Sequence, residues 1–157
     1  MIKIISVGKI KESYLLCGIE EYKKRLNKFT KLEFIEVKDE EANKDLSEAQ
    51  ENIIKDIEGD RILSHIKNEY VVCLDRLGEE LTSIELSKKI EWINVNYSSN
   101  ITFVIGGSLG LSRKVLERGN YKLSFSKMTF PHQLFKLILL EQIYRAYKIM
   151  NNETYHK

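Results

Sequence analysis

A chain of 157 residues, 43% hydrophobic and 31% charged, can bury an adequate core without disulfides or metal, and is expected to form one domain over 1–157. Its apolar residues are too interrupted to supply a transmembrane helix, so a membrane partner is not expected. A formal net charge of +2 excludes naming a partner from charge alone, because nucleic-acid binding depends on how lysines and arginines cluster in space.

The opening Met1-Ile-Lys-Ile-Ile-Ser-Val-Gly8 has an apolar run too short for a signal peptide and no small-residue cleavage site. It reads as a first strand over Ile2 to Val7, in a protein expected to be cytoplasmic. Leu15, Ile19, Tyr22, Leu26 and Phe29, spaced by four and three, then lie on one face of a helix. Lys23, Lys24, Arg25 and Lys28 fall in the same stretch and read first as a solvated face. A second strand is predicted over Leu32 to Val37, rich in β-branched and aromatic residues. After the acidic, polar connection from Asp39 to Asp45, a helix pattern runs from about Ser47 to Ile66, carrying Ile53, Ile57, Ile62 and Ile66. Gly59 weakens its middle.

Tyr70 to Leu74 is the third predicted strand, ending before Asp75-Arg76-Leu77-Gly78. Thr82-Ser-Ile-Glu85 is a capping box that opens a helix burying Leu86, Ile90, Ile93 and Tyr97. The fourth strand, Ile101 to Ile105, runs into Gly106-Gly107-Ser108-Leu109-Gly110, and a short helix starts near Ser112. A last strand over Leu123 to Phe125 leads through Ser126-Lys-Met-Thr-Phe130 to Pro131, placed in the first turn of a long helix where proline is tolerated. That helix is apolar on nearly every side, so more than one surface must cover it, and a subunit interface is the favoured cover. Cys17 and Cys73 belong to no C-x-x-C pair; both read as buried small hydrophobes, and no metal is expected.

Strict alternation of strand and helix predicts an α/β fold, a mostly parallel sheet with helices on both faces. In such a sheet, the loop after Ile105, the loop after Phe125 and the end of the third strand at Leu74 all emerge at the carboxyl edge, where ligands bind. The glycine run does not match G-x-G-x-x-G and follows the fourth strand rather than the first, so a nicotinamide site fits poorly. Loops of backbone donors with Gly, Ser, Met and Phe suit a flat heterocycle with an apolar tether better than a triphosphate.

Phe103-Val-Ile-Gly-Gly-Ser-Leu-Gly110, Leu123-Ser-Phe-Ser-Lys-Met-Thr-Phe-Pro-His-Gln-Leu134, Glu141-Gln-Ile-Tyr-Arg-Ala-Tyr147 and the terminal Tyr155-His156-Lys157 resemble the ribosomal RNA large subunit methyltransferase H family. This is a family of the SPOUT class of RNA methyltransferases, and the similarity extends over the whole chain. It implies a C-terminal trefoil knot, a homodimer, and methyl transfer from S-adenosylmethionine to N3 of a pseudouridine in 23S-type ribosomal RNA within the assembled ribosome. Carried over by position, the cofactor residues are Leu74, Gly106, Phe125, Ser126, Lys127, Met128, Thr129 and Phe130. Leu109 and Glu79 depart from the family pattern.

The imide nitrogen of a pseudouridine holds its proton at neutral pH, so transfer needs a base or a cation that stabilises the developing anion. His132, Arg145, Tyr155 and His156 are the candidates. Two readings stand for Arg145: a role at the substrate, or an i,i+4 ion pair with Glu141. His132 could equally close the start of the last helix, and Tyr155-His156 could be a frayed tail. The resemblance implies that this tail reaches the other subunit's cofactor. His65, on the second helix, reads as a surface residue. The other classes compatible with these residues are a ribosome-binding factor without catalysis and an RNA methyltransferase with another target.

Overall fold

The computed structural model describes residues 1–155. Five strands alternate with five helices: β1 (Ile2–Val7), α1 (Ser13–Leu26), β2 (Leu32–Val37), α2 (Glu48–Leu63), β3 (Tyr70–Glu80), α3 (Ser83–Asn96), β4 (Ile101–Ile105), α4 (Arg113–Arg118), β5 (Tyr121–Ser124) and α5 (His132–Met150). The strands form one sheet in the order β2-β1-β4-β3-β5, and every neighbouring pair is parallel. β4 is wholly buried and β1 is buried except at Lys3, which is why Ile2, Ile4, Ile5, Ile101, Phe103 and Val104 form near-continuous apolar runs.

Period-two alternation sorts the strand side chains between two cores. Ile4, Val72, Phe103 and Leu123 face a core shared with α1, α3 and α5. Ile5, Val71, Cys73 and Val104 face a smaller core closed by Ile62 of α2 and Val115 of α4. α5 lies between α1 and α3, and its Leu139, Leu140, Ile143 and Ala146 are wholly buried. Each such leucine or isoleucine contributes about 1.5–3 kcal/mol of burial. None of the α5 residues is fully exposed in the single chain. Among the described residues, no helix is long and apolar enough to cross a membrane.

Several local expectations change. β3 does not end at Leu74: it continues to Glu80 through a register shift in which Leu74 and Glu79 both oppose Leu123, so Asp75 to Gly78 bulge out of the ladder. β5 starts earlier, at Tyr121, and ends at Ser124. Ile53 and Ile57 are exposed, because α2 turns Ile54, Glu58 and Ile62 toward the sheet, and a glutamate in that stripe hides it from a hydrophobicity pattern. Tyr97 is exposed at the end of α3, although its ring meets Tyr70 edge-on at 4.9 Å. Cys17 is exposed, since α1 turns Leu15 and Ile19 inward; Cys73 is buried, and burial pushes its thiol up to about 11. His65 is exposed, as expected.

Candidate functional site at the carboxyl edge of the sheet

The carboxyl ends of β4 and β5 and the stretch of β3 around Leu74 open onto a cleft of about 150 Å³. Its floor is Leu74, Ile105 and Leu123, buried residues paired across three adjacent strands. They are brought side by side because the sheet is parallel and in register.

The wall after β4 is the glycine loop. Gly106 has no room for a side chain: a Cβ would lie 2.7 Å from the carbonyl carbon of Gly110 and 2.9 Å from its oxygen. The loop folds back through a hydrogen bond from the Gly110 amide to the Gly107 carbonyl at 3.1 Å, with Gly110 at φ +87°. Glycine is therefore required twice, once for close approach and once for a left-handed backbone. Ser112 then caps α4, its hydroxyl accepting from the Val115 amide.

The opposite wall is the loop after β5. The Ser126 hydroxyl accepts from the Met128 amide at 2.9 Å and the Ser124 hydroxyl donates to the Ser126 carbonyl at 3.2 Å, so the loop is shaped by its own serines. Phe125 packs on Phe135 of α5 with ring centroids 5.0 Å apart, and Phe130 approaches the same ring at 6.2 Å. Pro131 turns the chain into α5, which carries His132 to the cleft rim. Among the described residues, no group of three or more His, Cys, Asp or Glu could hold a metal.

Of the eight residues proposed from sequence for a cofactor, Leu74, Gly106, Phe125, Ser126, Met128, Thr129 and Phe130 line this cleft, and Lys127 does not. Lys127 is exposed. Arg76, Gly110 and Phe135 line it too and were not among the cofactor residues carried over by position. The glycine spacing could have flagged Gly110; Arg76 and Phe135 enter only because the β3 bulge and the start of α5 converge there.

The remaining candidates divide. His132 is at the cleft, whereas Arg145 is thirteen positions further along α5, about 20 Å at the rise of an α-helix. Arg145 Nε and Nη2 both donate to Glu141 Oε1, at 3.1 and 2.6 Å, and this hydrogen bond raises the pKa of the guanidinium further. Tyr155 folds back onto the same group: its hydroxyl donates to Glu141 at 3.2 Å and its ring meets Tyr144 edge-on at 5.0 Å. The Arg145 guanidinium carbon lies 4.8 Å from the Tyr155 ring centroid. Burial first, then Tyr22 and Glu141, push the Tyr155 phenol above its ordinary value. It is a phenol, not a phenolate, at neutral pH. His156 lies outside the described residues.

The parallel α/β sheet carries its cleft at the carboxyl edge, and a family model described as "Predicted SPOUT methyltransferase" matches residues 1–156, which puts the chain in the methyltransferase class. The chain is 60% identical over 157 residues to "Ribosomal RNA large subunit methyltransferase H" of Clostridium tetani, with 99% of each chain covered. Proteins of that name from Clostridium botulinum and Clostridium perfringens are 59% and 58% identical, again over 99% of each chain. The chain belongs to the ribosomal RNA large subunit methyltransferase H family of SPOUT methyltransferases. A solved structure described as a probable methylase family protein from Haemophilus influenzae Rd KW20 shares the fold, with TM-score 0.54 and 12% identity over 96% of this chain and 66% of that one.

Proposed function

We propose that this protein transfers a methyl group from S-adenosylmethionine to N3 of a pseudouridine in large-subunit ribosomal RNA, acting on the assembled ribosome as a cytoplasmic homodimer. The observation that carries the reading is the cleft itself. It has an aliphatic floor, a glycine wall whose backbone a ligand can approach and an aromatic wall, a lining that matches a nucleoside with a short apolar tether. The fit extends to the donor's amino-acid end, since Arg76 and the serine-shaped loop offer polar contacts at the mouth. When bound, the donor supplies an electrophilic methyl on a sulfonium. Leu74, Gly106, Phe125, Ser126, Met128, Thr129 and Phe130 would hold it. The ribosomal RNA target is supported by the names of the relatives.

The protein's own residues then divide the proton chemistry. The imide must lose its proton as the nitrogen is methylated, and a cation nearby lowers the cost of the anion that develops. His132, which lines the cleft, is a candidate to accept or relay that proton. Arg145 stays charged under all working conditions and suits the anion, while Tyr155, held as a phenol, can donate or stack but not serve as the base. The separation of Arg145 and Tyr155 from the cleft along α5 supports the homodimer: a second copy would bring these groups to a cleft that one chain leaves without them.

The reading includes a trefoil knot in the C-terminal part, which family membership supports and an experimental chain trace through residues 70–150 tests. The activity is tested with labelled S-adenosylmethionine and ribosomes lacking the modification. Label in large-subunit RNA at a pseudouridine is the expected result. Transfer to RNA elsewhere would replace the target, and no transfer by folded protein would leave a non-catalytic ribosome-binding role.

A further inference from the structure

One buried carboxyl lies behind the cleft and has no part in the chemistry above. Glu58, in the middle of α2, is 5% exposed. Its carboxylate Oε1 accepts a hydrogen bond from the Glu40 amide at 2.9 Å, in the connection between β2 and α2. On its other side is Gly107, where a Cβ would lie 3.1 Å from Glu58 Oε2 and 3.5 Å from Oε1. Arg61, nearly one turn further along α2, secures the same connection by donating to the Lys38 carbonyl at 2.7 Å and pairing with Glu40.

The neighbouring residue completes the arrangement. A Cβ on Gly59 would stand 2.3 Å from the Ser112 hydroxyl oxygen, so only glycine lets α2 approach the residue that caps α4. The Glu58-Gly59 pair thus touches the glycine loop near both of its ends, Gly107 near the start and Ser112 at the finish. The middle of α2 supports the back of the wall whose front, at Gly106, Gly107 and Gly110, faces the cleft.

We propose that Glu58 is a positioning residue: it joins the β2–α2 connection to the glycine loop and holds that wall of the cleft in its ligand-binding shape. The part concerning the donor rests on reading the cleft as the S-adenosylmethionine site. The charged groups acting on Glu58 are Asp39 and Glu40 from the connection and Arg61 from its own helix. Burial, opposed by the Glu40 amide and Arg61 and reinforced by Asp39, pushes the Glu58 carboxyl above its ordinary range. An uncharged isostere that keeps the acceptor oxygen should therefore do the same job.

The test uses the full-length chain with Glu58→Gln, which keeps the acceptor, and Glu58→Met, which keeps the volume and loses it. Donor affinity is measured by calorimetry with S-adenosylmethionine, and hydrogen exchange is measured on the ligand-free proteins. Glu58→Gln should bind within about twofold of the parent and Glu58→Met about tenfold more weakly, the scale of one buried hydrogen bond. Faster exchange in Glu58→Met should appear at the Glu40 amide, which loses its acceptor, and at the amides of 106–111, leaving those of 125–130 unchanged. Equal affinity and exchange in Glu58→Met and the parent would overturn the proposal, as would Glu58→Gln behaving like Glu58→Met. Should Glu58→Met not fold, Glu58→Asp, which withdraws the carboxyl from Gly107 by one methylene, takes its place, and parent-like behaviour there overturns it as well. If the parent itself binds no donor, the donor reading fails, while the exchange pattern still decides the role of Glu58.

Discussion

The Lys136 ammonium lies 2.9 Å from the Glu36 carboxylate, with the lysine side chain 5% exposed and the glutamate 34%. The pair links the second turn of α5 to β2, an edge strand of the sheet, and the Phe34 ring lies 5.4 Å from the ammonium. His132 and Phe135, which reach the cleft, sit one turn and one residue before it, so this ion pair sets the start of α5 that presents them. Removing one partner of such a pair leaves a charge poorly solvated, whereas an apolar replacement of similar volume costs less. Lys136→Ala is expected to lower unfolding stability by about 3 kcal/mol and Lys136→Met by less, as read in denaturant titrations.

Gly106→Ala places a methyl group against the Gly110 backbone, which cannot swing aside as a flexible side chain could. Overpacking of this kind costs about 1–3 kcal/mol, and here it displaces the cleft wall itself. Calorimetry should show donor affinity falling more than about tenfold, while circular dichroism shows the fold retained.

Arg145→Ala tests the division of the site along α5. Because Arg145 is remote from the cleft of its own chain, donor binding should be unchanged while methyl transfer to ribosomes drops about 100-fold, the scale of one lost charge-stabilising group. Mixing Arg145→Ala with a Gly106→Ala chain should recover part of the activity, because one hybrid cleft then has both parts intact. No recovery in confirmed mixed dimers would count against completion of the cleft by the second copy.

Glu69 supplies a pH dependence to stability. It is 8% exposed, accepts from Lys3 at 2.7 Å, from the Lys67 amide at 2.8 Å and from Thr102 at 3.2 Å. Burial alone would raise its pKa, but Lys3 and the backbone donors outweigh burial and hold it at about 2, below the ordinary 4.5. A depressed carboxyl contributes stability that is fully present above its unfolded pKa and is lost as pH falls through the folded one. The loss attributable to Glu69 should fall between about pH 4.5 and 2, and Glu69→Gln should flatten the stability profile in that window.

Much of the site could be read without coordinates, because its parts are local. A glycine pair after an apolar strand and a Ser-rich loop before a proline announce themselves over a few residues, and a parallel sheet obliges both to emerge at one edge. The apolar stripe of α1 was legible for the same reason, since Leu15, Ile19 and Leu26 recur at helical spacing and are buried. α2 was misread because the residue at the centre of its buried stripe is Glu58, and a polar residue there looks like a gap in the pattern.

The order of elements, the approximate place of each and the identity of the two cleft loops were determined by the sequence alone, because periodicity and chain-breaking residues act within a few positions of themselves. Tertiary structure decided the rest. It set which face of α2 turns inward, the bulge that brings Arg76 to the cleft beside Phe135, the exposure of Cys17, and the distance along α5 between His132 and Arg145 within one chain. Each of these depends on contacts between residues far apart in the chain, whose energies are settled by packing after the local elements have formed.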